Sequence, residues 1–142
     1  MAIFHGENHR DSHGDSSSKI ADRLVFTIYK GGALSGLVAA VIELKGGMSL
    51  HLSDTIEQIR MGMKAVEVLL EESSVAAWYP VLMFSGAGKR RPQYVRKINL
   101  QSSRIAFRHD TPKTIFLKDC GSKLTDTLEE LGNRYPSNLS SA

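Results

Sequence analysis

The sequence predicts an α/β (α+β) domain built on a mixed β-sheet, in which an antiparallel hairpin is followed by a helix crossover to a parallel strand. Three observations predict it: two apolar runs separated by a glycine turn, a long amphipathic helix pattern after them, and a third apolar run. Because a strand, a helix and a further strand in succession usually form a crossover, the third run is expected to pair parallel to the second.

The hairpin is predicted by two runs that are rich in β-branched and aromatic residues. The first run spans Leu24–Tyr29 and the second spans Leu37–Lys45, with Lys30–Ala33 as the turn between them. The start of the first strand should therefore lie beside the end of the second.

The helix pattern begins after Gly46 and Gly47, which end the second strand. Ser53 or Asp54 can cap the helix, and Asp54 with Glu57 fits a capping box. The helix is therefore expected over about residues 54–71. Its apolar residues fall on one face and are expected in the core: Ile56, Ile59, Met63, Val66, Leu69 and Leu70.

The third apolar run, Trp78–Phe84, indicates a buried strand. Its Pro80 is expected near the start of the strand, because an interior proline removes a ladder hydrogen bond. Weaker patterns predict short strands at Arg104–Arg108 and Thr114–Lys118, and a terminal helix over Leu124–Leu131.

Length and composition indicate one domain, over residues 20–135. Residues 1–19 are rich in Ser, Gly and His and are expected to be a flexible tail, and residues 136–142 a C-terminal tail. No stretch approaches the roughly 20 apolar residues of a membrane span, and no secretory signal pattern is present, so no membrane contact is expected. With Cys120 as the single cysteine, these features favour a cytoplasmic setting.

Charge is distributed unevenly along the chain. The net charge is +3, yet residues 1–72 hold seven basic and ten acidic residues, and residues 73–142 hold eleven basic and five acidic. From Ser73 to His109 there is no Asp or Glu, which favours contact with a polyanion such as nucleic acid. The alternative is a solvated basic loop. The basic residues of this stretch are Lys89, Arg90, Arg91, Arg96, Lys97, Arg104 and Arg108.

The end of the second strand carries two ionisable residues after a wholly apolar run. Because side chains alternate along a strand, Glu43 and Lys45 share one face, roughly 6–7 Å apart, while Ile42 and Leu44 point into a core. A buried charge needs a partner or a metal, so Glu43 and Lys45 are expected to face a site. The alternative is an exposed ion pair on an edge strand, which contributes roughly 0–1 kcal/mol.

Asp22 stands at the start of the first strand and so becomes a spatial neighbour of Glu43 in the hairpin. Two converging carboxylates make an oxygen-rich site of the kind that Mg²⁺ or Mn²⁺ prefers. Lys45 is suited to orient a water or to stabilise charge on phosphorus. Asp22 as a simple turn residue, and Gln58 as a solvated helix residue, are the alternatives.

Residues Asp22 to Phe84 resemble the PD-(D/E)XK nuclease superfamily, with Ala21-Asp22 in place of Pro-Asp and Glu43-Leu44-Lys45 in place of (D/E)-x-K. The resemblance implies a restriction-endonuclease-like core, a mixed sheet flanked by helices, and metal-dependent cleavage of DNA or, less often, RNA. It implies that Asp22, Glu43 and the carbonyl of Leu44 hold Mg²⁺ (or Mn²⁺) and that Lys45 is catalytic. Gln58 resembles a helix glutamine that some branches use near the site.

Members of this superfamily usually begin with a helix before the Asp-bearing strand, and only 21 residues precede Asp22 here. A homodimer or a protein partner is therefore expected to cover the core in place of that helix. The sequence favours a metal-dependent nuclease acting on DNA, with Lys89, Arg90, Arg91, Arg96 and Lys97 on the phosphate backbone. The alternative is a catalytically inactive module on the same fold that binds nucleic acid or protein.

Overall fold

The computed structural model describes residues 2–5, 23–29, 36–45, 52–84, 104–119 and 123–134. These residues form a five-stranded mixed sheet, in which the strands lie in chain order, and two helices. The elements are β1 (Ala2–His5), β2 (Arg23–Tyr29), β3 (Gly36–Lys45), α1 (Leu52–Leu70), β4 (Ala77–Phe84), β5 (Phe116–Asp119) and α2 (Leu124–Arg134). In this part of the chain no helix is both long and apolar enough to cross a membrane.

The predicted hairpin and crossover are confirmed. β2 pairs antiparallel with β3, from Arg23 opposite Ile42 to Tyr29 opposite Gly36. β3 pairs parallel with β4 after the crossover through α1, and β5 adds a second parallel pairing to β4. The strand bounds match the sequence prediction closely because β-branched and aromatic runs are long and continuous here.

The sheet lies between the two helices and separates the core into two layers, one on each face. α1 covers the face that carries the even-numbered residues of β2 and β4 and the odd-numbered residues of β3. α2 covers the opposite face through Leu128 and Leu131. An ion pair of 2.6 Å between Lys118 Nζ and Glu130 Oε2 also links β5 to α2.

α1 begins two residues before the predicted start, at Leu52, so Ser53 and Asp54 are helical rather than capping residues. Asp54 still lies in the first turn, where its negative charge interacts favourably with the positive end of the helix dipole. Leu69, which the apolar pattern assigned to the core, is 36% exposed. The buried stripe instead turns toward Thr55, Gly62 and Ala65, small side chains that let the helix lie close to the sheet.

Pro80 is the fourth residue of β4 and not near its start as predicted. It is accommodated because β5 pairs with β4 only from Val81 onward. Among the described residues, the first half of β4 therefore has a strand neighbour on one side only, where β3 pairs with it. A missing N–H is tolerated on such a half-open strand.

The first residues of the chain differ from the predicted flexible tail. Ala2–His5 form β1, which pairs antiparallel with β2. Ile3 and Phe4 supply the β-forming character, but a run this short gains a strand only through its ladder with β2. Sequence patterns report such pairing poorly because the two partners lie about twenty residues apart in the chain.

The segment between β4 and β5 is also different from the prediction. Arg104–Arg108 is not a strand: Ile105 makes a single antiparallel bridge with Lys113, with backbone hydrogen bonds of 2.8 and 2.9 Å. The predicted strand Thr114–Lys118 is displaced to Phe116–Asp119. The predicted terminal helix is confirmed and extends to Arg134. The expected loop at 85–103 and the tail at 136–142 lie outside the described residues.

Arg108 ties this segment to the end of α1. Its guanidinium donates hydrogen bonds of 2.7 Å to the carbonyl oxygens of both Glu71 and Ser73, and its backbone N–H donates to Glu67 Oε1. The guanidinium also lies 4.9 Å from the ring centroid of Phe107. Because Glu71 and Ser73 follow the last residue of α1, Leu70, these contacts stabilise the chain segment that leaves the helix.

We expect Arg108→Ala to lower the free energy of unfolding by about 1–3 kcal/mol, because two charge-assisted hydrogen bonds and a cation–π contact are lost together. Urea denaturation measures the change. Lys64→Ala, at an exposed position of α1, is the matched control and should stay within about 0.5 kcal/mol of the unsubstituted protein. Equal effects of the two substitutions would contradict the role of Arg108.

Candidate functional site

Glu43 lies near the carboxyl end of β3 with its side chain in the layer between the sheet and α1. Val41, two residues earlier on the same face, belongs to the α1 core, and Leu82 is the register partner of Glu43 on β4. The Glu43 side chain is 1% exposed. β3 is flanked by β2 and β4. The alternative of an exposed ion pair on an edge strand is therefore wrong for Glu43.

The burial of this carboxylate has a physical cost that the fold must offset. A carboxylate removed from water is stable only with hydrogen-bond donors, a cation or a metal ion beside it, or after taking up a proton. Glu43 has interactions within the folded chain. A side chain of this kind in an otherwise apolar layer is typical of a binding or catalytic position.

Leu44 and Lys45 complete the tripeptide. Leu44 was expected in the core, and it is instead 41% exposed, on the face covered by α2. Alternation assigns it to that face, but the core cluster that contains Leu128 and Leu131 of α2 includes Val38, Ala40 and Ile42 of β3 and not Leu44. Lys45 is the last residue of β3 and its register partner is Phe84. The side chain of Lys45 lies outside the described part.

Gln58 lies on α1, the helix that packs mainly against β3, and it is half-buried. It stands one turn from the buried Thr55 and from the buried Gly62, at the border of the stripe that faces the sheet. Glu43 and Gln58 therefore belong to the same layer of the fold. The half-burial of Gln58 differs from the alternative of a fully solvated helix residue.

Several predicted site residues lie outside the described ranges. Asp22 directly precedes Arg23, the residue that the register places opposite Ile42, and Glu43 directly follows Ile42. The basic residues expected to contact nucleic acid also lie outside: Lys89, Arg90, Arg91, Arg96 and Lys97.

The described residues hold no group of three or more His, Cys, Asp or Glu side chains that could bind a metal ion. The predicted set, a carboxylate of Asp22, a carboxylate of Glu43 and the carbonyl of Leu44, consists entirely of oxygen donors. Such donors fit Mg²⁺ or Mn²⁺ in their chemistry, and the buried Glu43 is the member of the set whose side chain the structure describes.

A second cluster of chemically distinctive groups surrounds Lys113, which the sequence reasoning missed. Lys113 Nζ lies 5.0 Å from the ring centroids of both Trp78 and Tyr79, and it donates a hydrogen bond of 3.3 Å to the Trp78 carbonyl. Trp78 Nε1 in turn donates a 2.8 Å hydrogen bond to Asp110 Oδ2. No local pattern marks Lys113, because its partners lie about 35 residues earlier in the chain.

Burial lowers the pKa of Lys113 from its ordinary value of 10.5 to about 8, and the negative charge of Asp110 raises it in the opposite direction. Desolvation is the larger cause, since the aromatic walls replace water around the ammonium group. A lysine in this state loses its proton within the range of pH in which proteins work.

Comparison of the chain with protein-family models, with curated proteins and with solved structures finds no match.

We expect the free energy of unfolding to rise with pH between about 8 and 10.5 relative to a Lys113→Met variant. In this interval the folded protein has released the Lys113 proton while the unfolded chain still binds it, so increasing pH favours the folded state. Denaturation of both proteins at pH 7, 8, 9 and 10 measures the difference. A difference independent of pH would contradict the lowered pKa.

Proposed function

We propose that this protein is a metal-dependent nuclease of PD-(D/E)XK type that hydrolyses phosphodiester bonds in nucleic acid, with DNA favoured. One observation carries the proposal: the acidic residue of the Glu43-Leu44-Lys45 tripeptide is fully buried at the carboxyl end of a central strand. A glutamate whose only role was to keep the surface polar would be exposed to water and would not lie in the layer between the sheet and α1. The mixed sheet with a helix on each face agrees with what the resemblance implies.

The strand register supports the pairing of Asp22 with Glu43. Arg23 and Ile42 are opposite each other in the β2–β3 ladder. Asp22 precedes Arg23 in the chain and Glu43 follows Ile42, and we propose that the pairing continues by this one residue. Residues directly opposite each other on two antiparallel strands have Cβ atoms about 4.5–5.5 Å apart, which is close enough for two carboxylates to bind the same ion. In this proposal Asp22, Glu43 and the Leu44 carbonyl hold Mg²⁺ or Mn²⁺.

The bound ion supplies Lewis acidity at a phosphoryl oxygen and lowers the pKa of its water. The remaining steps belong to the chain. Lys45 orients the attacking water and stabilises negative charge that develops on the phosphoryl oxygens. Gln58, on the helix of the same layer, hydrogen-bonds near the site and helps to hold its geometry. The apolar residues around Glu43 exclude bulk water and so strengthen each electrostatic contact.

The basic stretch supplies the contact with the substrate. Lys89, Arg90, Arg91, Arg96 and Lys97 follow β4 in a segment that contains no acidic residue from Ser73 to His109. Because β4 runs parallel to β3, the carboxyl ends of the two strands lie side by side, with Lys45 opposite Phe84. Chain that leaves β4 there starts next to the proposed site, where cations would hold a phosphate backbone.

We expect Glu43→Gln and Lys45→Ala each to reduce Mg²⁺-dependent cleavage by about 100-fold or more, because the first removes a charged ligand of the proposed ion and the second removes the cation that stabilises charge on the phosphoryl oxygens. The assay compares single-stranded and duplex DNA and RNA with Mg²⁺, Mn²⁺ or EDTA. The matched controls are Glu129→Gln, at an exposed position of α2, and Lys123→Ala, at the exposed position directly before α2. Both variants should retain full activity.

Circular dichroism and a thermal melt confirm that each variant is folded before its activity is compared. Full metal-dependent activity in both Glu43→Gln and Lys45→Ala would overturn the proposed site. Activity in the presence of EDTA would overturn the role of the metal ion.

The second candidate is a catalytically inactive module that binds nucleic acid on the same fold. The stretch from Ser73 to His109 contains Lys and Arg but no Asp or Glu, and this favours the second candidate independently of the Glu43 site. It predicts binding whose affinity falls steeply as salt rises from about 50 to 200 mM, with no cleavage in any metal. Fluorescence anisotropy on the same DNA and RNA panel measures this, and affinity that does not change with salt would contradict it.

A further inference from the structure

A threonine hydroxyl is buried in the same layer of the fold as the Glu43 carboxylate. Among the residues that the structure describes, the buried polar or charged side chains are those of Glu43, Thr55 and Thr127, which are 1%, 0% and 2% exposed. Thr127 belongs to α2, which covers the opposite face of the sheet. Thr55 shares a face of α1 with Ile59, four residues later, and Ile59 packs in the core between α1 and the sheet.

β3 and α1 run in opposite directions, and this sets which part of the helix lies level with Glu43. The Ala76 N–H donates a 2.8 Å hydrogen bond to the Leu37 carbonyl, so the chain that leaves α1 returns to the start of β3. Leu37 and Leu70, the last residue of α1, also pack against the same core cluster. The end of α1 therefore lies near the start of β3.

The lengths of the two elements locate the level of Glu43 on the helix. From Leu37 to Glu43 the strand extends about 20 Å, at roughly 3.3 Å per residue. The same distance along α1, counted back from Leu70 at about 1.5 Å per residue, ends near residue 57. Thr55 and Gln58 are the polar residues closest to this level whose side chains are not exposed, and Thr55 is the fully buried one.

The chemistry of the two buried groups is complementary. A carboxylate that is removed from water needs hydrogen-bond donors, and a threonine hydroxyl is a donor. Thr55, like Glu43, has interactions within the folded chain. A helical threonine can also donate to a carbonyl of the preceding turn. An ionised carboxylate is the stronger acceptor, because its hydrogen bonds are roughly twice as strong as those between neutral groups.

We propose that Thr55 is a positioning residue of the Glu43 site, whose hydroxyl donates a hydrogen bond to the Glu43 carboxylate and holds it in the orientation that binds Mg²⁺ or Mn²⁺. The terminal torsion of a glutamate is broad, so a fixed donor restricts it. The carboxylate retains acceptor positions for the ion, and the hydrogen bond favours the ionised form that a metal ion requires. The role of the ion rests on the proposed function, whereas the contact between Thr55 and Glu43 does not.

The contact is tested by a double-mutant cycle on unfolding in urea, which requires neither metal nor substrate. Thr55→Val keeps the shape of the side chain and removes the hydroxyl, and Glu43→Leu removes the acceptor. We expect Thr55→Val to lower the urea midpoint of the unsubstituted protein, and to lower that of Glu43→Leu by less than about half as much. An equal decrease in both backgrounds would overturn the proposal, because the hydroxyl would then donate to another group.

Thr127→Val is the matched control for the loss of a buried hydroxyl. Thr127 is buried to the same extent, and its Oγ1 makes no hydrogen bond within the described part of the chain. Its substitution should therefore change the urea midpoint equally in the unsubstituted protein and in Glu43→Leu. If Glu43→Leu does not fold, Glu43→Gln replaces it in the cycle. The neutral amide oxygen accepts a weaker hydrogen bond, so the effect of Thr55→Val should still decrease by about half.

The positioning of the metal ligand is tested by the Mg²⁺ concentration that gives half-maximal cleavage. We expect Thr55→Val to raise this concentration at least about tenfold, because groups that orient a metal ligand contribute this much to metal affinity. Thr55→Ser, which keeps the hydroxyl, should restore it to within about threefold, and Thr127→Val should leave it unchanged.

The outcomes separate the contact from the nuclease proposal. An unchanged Mg²⁺ requirement in folded Thr55→Val, or an equal rise in Thr55→Ser, would overturn the positioning role. Absence of cleavage by the unsubstituted protein would overturn the nuclease and the metal part of this inference together. The double-mutant cycle would then still decide whether Thr55 binds the Glu43 carboxylate.

Discussion

The rest of the structure depends on the burial of β3 on both faces and along both edges. Its residues Val38–Ile42 are at most 4% exposed, and β2, β4, α1 and α2 all pack against this strand or the layers beside it. A strand buried on both faces must be apolar throughout, which the continuous run satisfies. Glu43 extends this buried strand by one residue, so the same packing that stabilises the sheet also removes a carboxylate from water.

Local periodicity accounts for the part of the fold that could be predicted from the sequence. The β2–β3 hairpin, the crossover helix and β4 each have a continuous pattern, and short chain separations or a standard crossover connect them. The buried state of Glu43 is harder to predict. Alternation assigns Glu43 and Leu44 to opposite faces, but it does not say which face stays covered as the strand ends, and the expectation for Leu44 was wrong for that reason.

The parts that could not be predicted depend on contacts between distant residues. β1 exists through its ladder with β2. The 104–115 segment is held by Arg108 and Lys113, whose hydrogen-bond partners lie 35 to 41 residues earlier in the chain. Nothing in the neighbouring sequence of Lys113 signals the Trp78 and Tyr79 rings. A depressed lysine pKa is therefore a property of the tertiary structure, and sequence patterns that identify carboxylate ligands do not register it.

The shortness of the two outer strands has a consequence for association between chains. β1 and β5 are four residues each, whereas β2 and β3 behind β1 have seven and ten. An outer strand offers its unpaired backbone groups to other chains, and a short one offers few. β1 occupies the backbone groups of Arg23–Phe26 on β2, so this half of the longer strand is closed to intermolecular strand pairing.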